Sequence, residues 1–202
     1  MDIGRKIPPH YENPIDNYIL DLGFILNPYF KKIGMTPNIL TFISGIFGLF
    51  AIFFIYKSNY LLSALFYGIS YIFDCFDGNF ARTYDQATEF GDWFDHIKDI
   101  IINIGMIVTF CYKKDITVKF KIISLIVILI FTIFFNIHLS CQEDHYHSNN
   151  DVKNKSESLK ILGVLVEKFC TNNNIEYTRY GGCGTCTLAV VIILIVIHFK
   201  KK

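Results

Sequence analysis

FDCFDGNFARTYDQATEFGDWFDHIKD, residues 73–99, joins the end of one apolar run to the start of the next. Asp74 and Asp77 are spaced i,i+3 and therefore share one face of a helix. Gly78 and Ala81 continue that face with almost no side-chain bulk, and Arg82 follows. On the next helix Asp95 and Asp99 are i,i+4, with Gly91 one turn before them. A short connection makes two such helices antiparallel neighbours, so the two acidic faces are expected to meet. Four carboxylates converging in a low-dielectric interior repel one another, and either take up protons or recruit divalent cations. An all-oxygen donor set suits Mg²⁺, Mn²⁺ or Ca²⁺.

A charge run is ordinarily a solvated face. Here Asp74 follows a continuous lipid-grade run, where carboxylates are costly and usually functional. An EF-hand loop fails, because Phe73 and Cys75 stand where two of its ligands would be. A non-catalytic ion site between helices stays open on geometry alone. Gly78, Ala81 and Gly91 leave free volume beside the carboxylates, and Arg82 adds a permanent cation. That cation would repel a stored metal ion but suits a diphosphate. The combination points to phosphoryl-group transfer, with metals bridging the diphosphate and a spare carboxylate taking the acceptor's proton.

Outward from this stretch, the run from Tyr60 to Phe73 keeps helical phase to about Arg82, and the next spans Trp93 to Tyr112. Asn38 to Tyr56 and Phe120 to Ser140 are each long enough to cross a bilayer of ~30 Å. Leu188 to Phe199 is a further span, with an earlier start at Gly181 as an option. Residues 159–170 are apolar but short and contain Lys160, Glu167 and Lys168, so they read as a partial span or a surface helix. The polar residues 141–158 read as an exposed loop. Near the N-terminus Ile15, Tyr18, Ile19, Leu22 and Leu26 recur at helical spacing among Asp16, Asn17 and Asp21. This predicts an amphipathic helix in the interface plane, ended by Asn27-Pro28. No apolar signal-peptide core follows Arg5 and Lys6.

The expected architecture is an all-α polytopic membrane bundle of about six transmembrane helices preceded by that interfacial helix. Residues 1–37 would form the cytosolic or interfacial segment and 38–202 the transmembrane catalytic domain. Loop lysines and arginines favour the N-terminus inside, which puts the acidic cluster at the cytoplasmic face of an integral membrane protein. Lys200 to Lys202 fall on the same side only with a sixth crossing.

Composition agrees. The 202 residues are 52% hydrophobic with 18% charged, against about 25% charged in soluble domains. So much apolar surface excludes a disordered chain. A net charge of +1 with dispersed basic residues argues against a nucleic-acid partner. The six cysteines read as reduced small hydrophobes. Cys183 and Cys186 form a C-x-x-C without a second ligand pair, and the surrounding GGCGTC suits close helix packing better than zinc.

The pattern D-x-x-D-G-x-x-A-R-x8-G-x3-D-x3-D is met without departure at Asp74, Asp77, Gly78, Ala81, Arg82, Gly91, Asp95 and Asp99. It resembles the signature of the CDP-alcohol phosphatidyltransferase family. The resemblance covers two helices and their connection. It implies a six-helix membrane enzyme, often dimeric, that transfers a phosphoalcohol group from a CDP-alcohol to a lipid or small-alcohol hydroxyl and releases CMP. It further implies two divalent cations, Mg²⁺ or Mn²⁺, on Asp74, Asp77 and Asp95, with Asp99 close to them and acting as general base. Gly78, Ala81 and Gly91 would line the nucleotide, and Arg82 would contact the diphosphate. TPNILT resembles the family's P-N-x-x-T at the start of the first span, which would bring Asn38 and Thr41 to the CDP moiety. Thr36-Pro37 is equally an ordinary helix start.

Two local features lean toward transfer from CDP-choline or CDP-ethanolamine to diacylglycerol. GDWFDH around Asp95 is similar to the G-x-x-F-D-H of choline and ethanolamine phosphotransferases. Gln142, Glu143, Tyr146 and His147 resemble their W-E-x-Y-H stretch, with Cys141 where the aromatic belongs. The alternative is phosphatidyl transfer from CDP-diacylglycerol to inositol, serine or glycerol phosphate. A phosphate-bearing acceptor is disfavoured, since Lys98 is the one basic addition near Arg82. A non-enzymatic cation-binding membrane protein is the competing class.

Overall fold

Helices begin where the sequence offers a side-chain oxygen to the orphan N–H groups of a first turn. Asn13 caps Ile15, Thr36 caps Ile39, Asn59 caps Leu62 and Thr88 caps Gly91. The computed structural model describes residues 4–150 and 172–201. Its helices are α1 (Pro14–Lys32), α2 (Pro37–Tyr56), α3 (Tyr60–Thr83), α4 (Glu89–Tyr112), α5 (Val118–Asn150), α6 (Asn172–Thr178) and α7 (Cys183–Lys200). A single 3₁₀ turn, Arg179–Gly181, links α6 to α7. No strand occurs among the described residues.

Two boundaries differ from the sequence reading. Helix α1 does not stop at Asn27-Pro28 but continues through Pro28 to Lys32. Asn27 is buried there, and its Nδ2 donates to Asn79 Oδ1 of α3 at 2.7 Å, so tertiary anchoring outweighs the proline. Residues 141–150 are the end of α5 rather than a loop. Cys141 is disulfide-bonded, correcting the reading of six reduced thiols, while Cys75, Cys111, Cys183 and Cys186 are free. The segment 159–170, read as partial span or surface helix, lies outside the described residues.

Helix α2, the Val118–Gln142 part of α5 and the stretch Asn174–Lys200 are long and apolar enough to cross a membrane. An apolar core around Ile55, Tyr60, Ile102, Phe110 and Leu194 is joined by an apolar outer surface and a few buried hydroxyls. Phe42, Leu49, Phe53, Ile104, Ile126 and Ile133 face outward, while Ser44, Ser63 and Ser70 are buried. Ser44 Oγ donates to Ser70 O at 2.9 Å and Ser70 Oγ to Ser44 O at 2.8 Å, stitching α2 to α3. Helix α1 likewise exposes Tyr18, Leu22, Ile25 and Tyr29, while Asp16, Leu20, Gly23 and Asn27 are buried against the bundle.

Helix α3 sits between α2 and α7 and also carries α1, while α4 packs on the other side of α2. Small residues permit this. A Cβ at Gly48 of α2 would lie 2.8 Å from both Cδ1 and Cγ1 of Ile102 on α4. Ile102 is β-branched and stiff, so it cannot turn away. Gly48→Leu is therefore expected to cost about 1–3 kcal/mol through overpacking, seen as a lower thermal midpoint in detergent.

The GGCGTC segment does serve close packing. A Cβ at Gly184 would fall 2.8 Å from Ile15 Cβ, so α7 starts directly against α1. In this contact Asp16 Oδ1 accepts from the Tyr71 hydroxyl and Oδ2 from the Gly184 N–H at 3.3 Å. Burial pushes the Asp16 carboxyl up to about 7, against the hydrogen bond from Tyr71 and with help from Glu12. An unfolded carboxyl ionises near 3.8 and the folded one near about 7. Between those values the folded state keeps a proton that the unfolded state has lost. Stability therefore falls as pH rises through that window, by up to about 4 kcal/mol, and then levels off. Thermal midpoints across the window should slope downward, and Asp16→Asn should flatten that component.

Candidate active site

Helices α3 and α4 do not lie face to face. Each packs chiefly on α2, and their acidic side chains reach across the space between. Carboxylate oxygens of Asp74, Asp95 and Asp99 lie within 4.8 Å of one another, close enough to share an ion. The convergence expected from the i,i+3 and i,i+4 spacings thus holds for three of the four aspartates.

Asp77 stands apart from that trio. It is buried, and its Oδ2 accepts from Thr41 Oγ1 of α2 at 2.7 Å. Together with Asp95 it lines a neighbouring cavity of about 200 Å³. The same cavity is lined by Asn38, Thr41, Gly78, Ala81, Arg82 and Gly91, every substrate-contacting residue suggested by the motif. Gln86, Thr88 and Asp92 also line it, and no spacing rule singled them out. They arrive because the connection 84–88 curls back, with Asp85 in the left-handed region at φ 53° and Gln86 N–H donating to Ala81 O at 2.8 Å.

Two glycines have definite spatial reasons. A Cβ at Gly78 would lie 3.3 Å from Arg82 Nη1, so the guanidinium folds over the bare backbone. A Cβ at Gly91 would press on Asn38 Oδ1 at 3.0 Å, so the start of α4 can close on α2 only without a side chain there. Arg82 Nε donates to Gly4 O at 2.9 Å, which ties the N-terminal segment to the cavity rim.

The sequence reading noted Lys98 only as a basic residue near Arg82 and missed its pairing with the aspartates. The Lys98 Nζ contacts Asp74 and lies 2.9 Å from Asp95 Oδ1 and 2.8 Å from Asp99 Oδ1. Its spacing i,i+3 from Asp95 was the available signal. The trio nonetheless fits a divalent ion. The donors are all oxygen, and Asp95 Oδ1 is buried and accepts no well-formed hydrogen bond even from Lys98. Exposure rises from 23% at Asp74 through 30% at Asp95 to 48% at Asp99, so Asp99 is the carboxylate most open to an incoming molecule.

Of the stretch likened to W-E-x-Y-H, Gln142 is committed elsewhere. Its Nε2 donates to Glu12 Oε1 at 2.8 Å and lies 3.0 Å from His138 Nε2, holding the N-terminal segment to α5. The side chains of Glu143, Tyr146 and His147 lie outside the described set.

Comparison with known proteins supplies the remaining findings. A model of the CDP-alcohol phosphatidyltransferase family matches residues 34–200. A protein of Aquifex aeolicus described as uncharacterized is 30% identical over 101 residues, covering 48% of this chain and 45% of its own. The CDP-diacylglycerol–inositol 3-phosphatidyltransferase of Drosophila melanogaster is 33% identical over 76 residues, covering 38% of this chain and 34% of its own. The chain therefore matches less than half the length of each of these relatives.

Proposed function

The chain belongs to the CDP-alcohol phosphatidyltransferase family, and from that premise we propose that it transfers a substituted phosphate group from a CDP-alcohol to a hydroxyl and releases CMP. The observation that carries this reading is the adjacency of the aspartate trio to a cavity bearing Asp77, Arg82 and the Asn38–Thr41 edge.

In this proposal Asp74, Asp95 and Asp99 hold Mg²⁺ or Mn²⁺, with Asp77 serving from the cavity side. The bound ions would neutralise charge on the diphosphate and on the leaving CMP. Arg82 supplies a fixed cation to the diphosphate. Asn38 and Thr41 contact the nucleotide, and Gly78, Ala81 and Gly91 keep its space open. Asp99, the most exposed carboxylate, takes the proton of the acceptor hydroxyl. Helices α3 and α4, each 24 residues or roughly 36 Å long, cross the bilayer with the carboxylates near its cytoplasmic face. The outward apolar face of α1 lies in the lipid interface.

For the substrates, the lean toward choline or ethanolamine transfer finds no support in the relatives. The Drosophila protein's name favours a CDP-diacylglycerol donor and a small polar alcohol acceptor such as inositol. GDWFDH keeps the aminoalcohol arrangement as a second reading. Purified protein with Mn²⁺ should release CMP from CDP-diacylglycerol when inositol or another small alcohol is added. CMP release from CDP-choline or CDP-ethanolamine with diacylglycerol alone would reverse the assignment. Silence with all three donors would remove the enzyme reading.

A further inference from the structure

The three carboxylates of the proposed ion site surround a cation that the chain itself provides. Lys98 is only 7% exposed, and lysine is almost never buried to that extent unless it is paired. Here its ammonium has three N–H donors and three carboxylate partners, Asp74, Asp95 and Asp99. Its stem is accommodated by design of the neighbouring helix: a Cβ at Gly45 of α2 would stand 3.3 Å from Lys98 Cγ. Ser44 Oγ, 3.4 Å from Nζ, completes the lining.

Resting on the reading of these aspartates as metal ligands, we propose that Lys98 is an internal counter-cation of the ion-free protein, which a divalent ion must displace to occupy the same oxygens. The ammonium already lies against the oxygens of Asp74, Asp95 and Asp99 that a divalent ion would ligate, so it both blocks and repels an ion entering there. Lys98 therefore has two jobs with opposite consequences. It relieves repulsion among the carboxylates when no metal is bound, and it raises the ion concentration needed to fill the site. A lysine can do this where an arginine could not, because its compact ammonium rides on a flexible four-carbon stem that can withdraw.

Mn²⁺ binding, followed by the electron paramagnetic resonance signal of the free ion, should be at least about tenfold tighter in Lys98→Met than in the wild-type protein, a change of about 1.4 kcal/mol. Equal affinity in the two proteins overturns the proposal while leaving the metal-site reading in place. Absence of Mn²⁺ binding in both overturns the two together. Should Lys98→Met fail to fold, the wild-type protein decides. Labelling of Lys98 by a small amine-acylating reagent, read by peptide mass spectrometry, should rise when Mn²⁺ is added. Unchanged labelling at saturating Mn²⁺ overturns the proposal.

Discussion

Asp99→Asn is expected to keep nucleotide binding and to lose about 10²–10⁴-fold in turnover, the usual loss when a positioned general base is removed. The side chain is the most exposed of the converging carboxylates, so an acceptor hydroxyl can approach it while Asp74 and Asp95 stay deeper. An amide keeps the shape and one acceptor oxygen but cannot take the proton. Asp77→Asn should behave differently. Asp77 lines the cavity and holds Thr41 at 2.7 Å, so its loss should weaken nucleotide binding as well as turnover. Equilibrium binding of a CDP-alcohol alongside initial rates of CMP release separates the two. Normal turnover in both variants would show the assigned roles to be wrong.

Chelation gives the second large effect. Stripping divalent ions with EDTA should lower CMP release by about 10³-fold or more, because metal ions at a transferring phosphate contribute several kcal/mol. Mg²⁺ or Mn²⁺ should restore it. The fold, by contrast, should survive chelation, since on the proposed role of Lys98 its ammonium offsets part of the repulsion among Asp74, Asp95 and Asp99 when no ion is bound. Turnover that persists after exhaustive chelation would contradict the metal-dependent mechanism. A collapse of the fold in EDTA would instead contradict the role given to Lys98.

Much of the site was legible residue by residue. Eight of the ten positions read from the motif and from TPNILT line one cavity, and the other two, Asp74 and Asp99, join Asp95 in the ion-sized cluster. Other features were not legible. Nothing in the spacing of Asp74, Asp77, Asp95 and Asp99 says that one of the four turns to Thr41 instead of the shared centre. Lys98 read as the one basic addition near Arg82, and nothing in the sequence showed its stem against Gly45 or its ammonium among the carboxylates. Polarity made residues 141–150 look like a loop, yet Gln142 is held by Glu12 and His138 on a continuing helix.

What the amino-acid order alone determined is local: the runs that form helices, the caps that start them, and the face on which each aspartate emerges. Those follow from a fixed helical repeat and from side chains a few residues apart. Which oxygens meet, and which cation they meet around, was decided only when α3 and α4 each docked on α2. The docking of α4 depends on close approach at Gly45 and Gly48, and that of α3 on the paired Ser44 and Ser70; these residues are far apart in the chain, and no periodicity in the sequence encodes their distances.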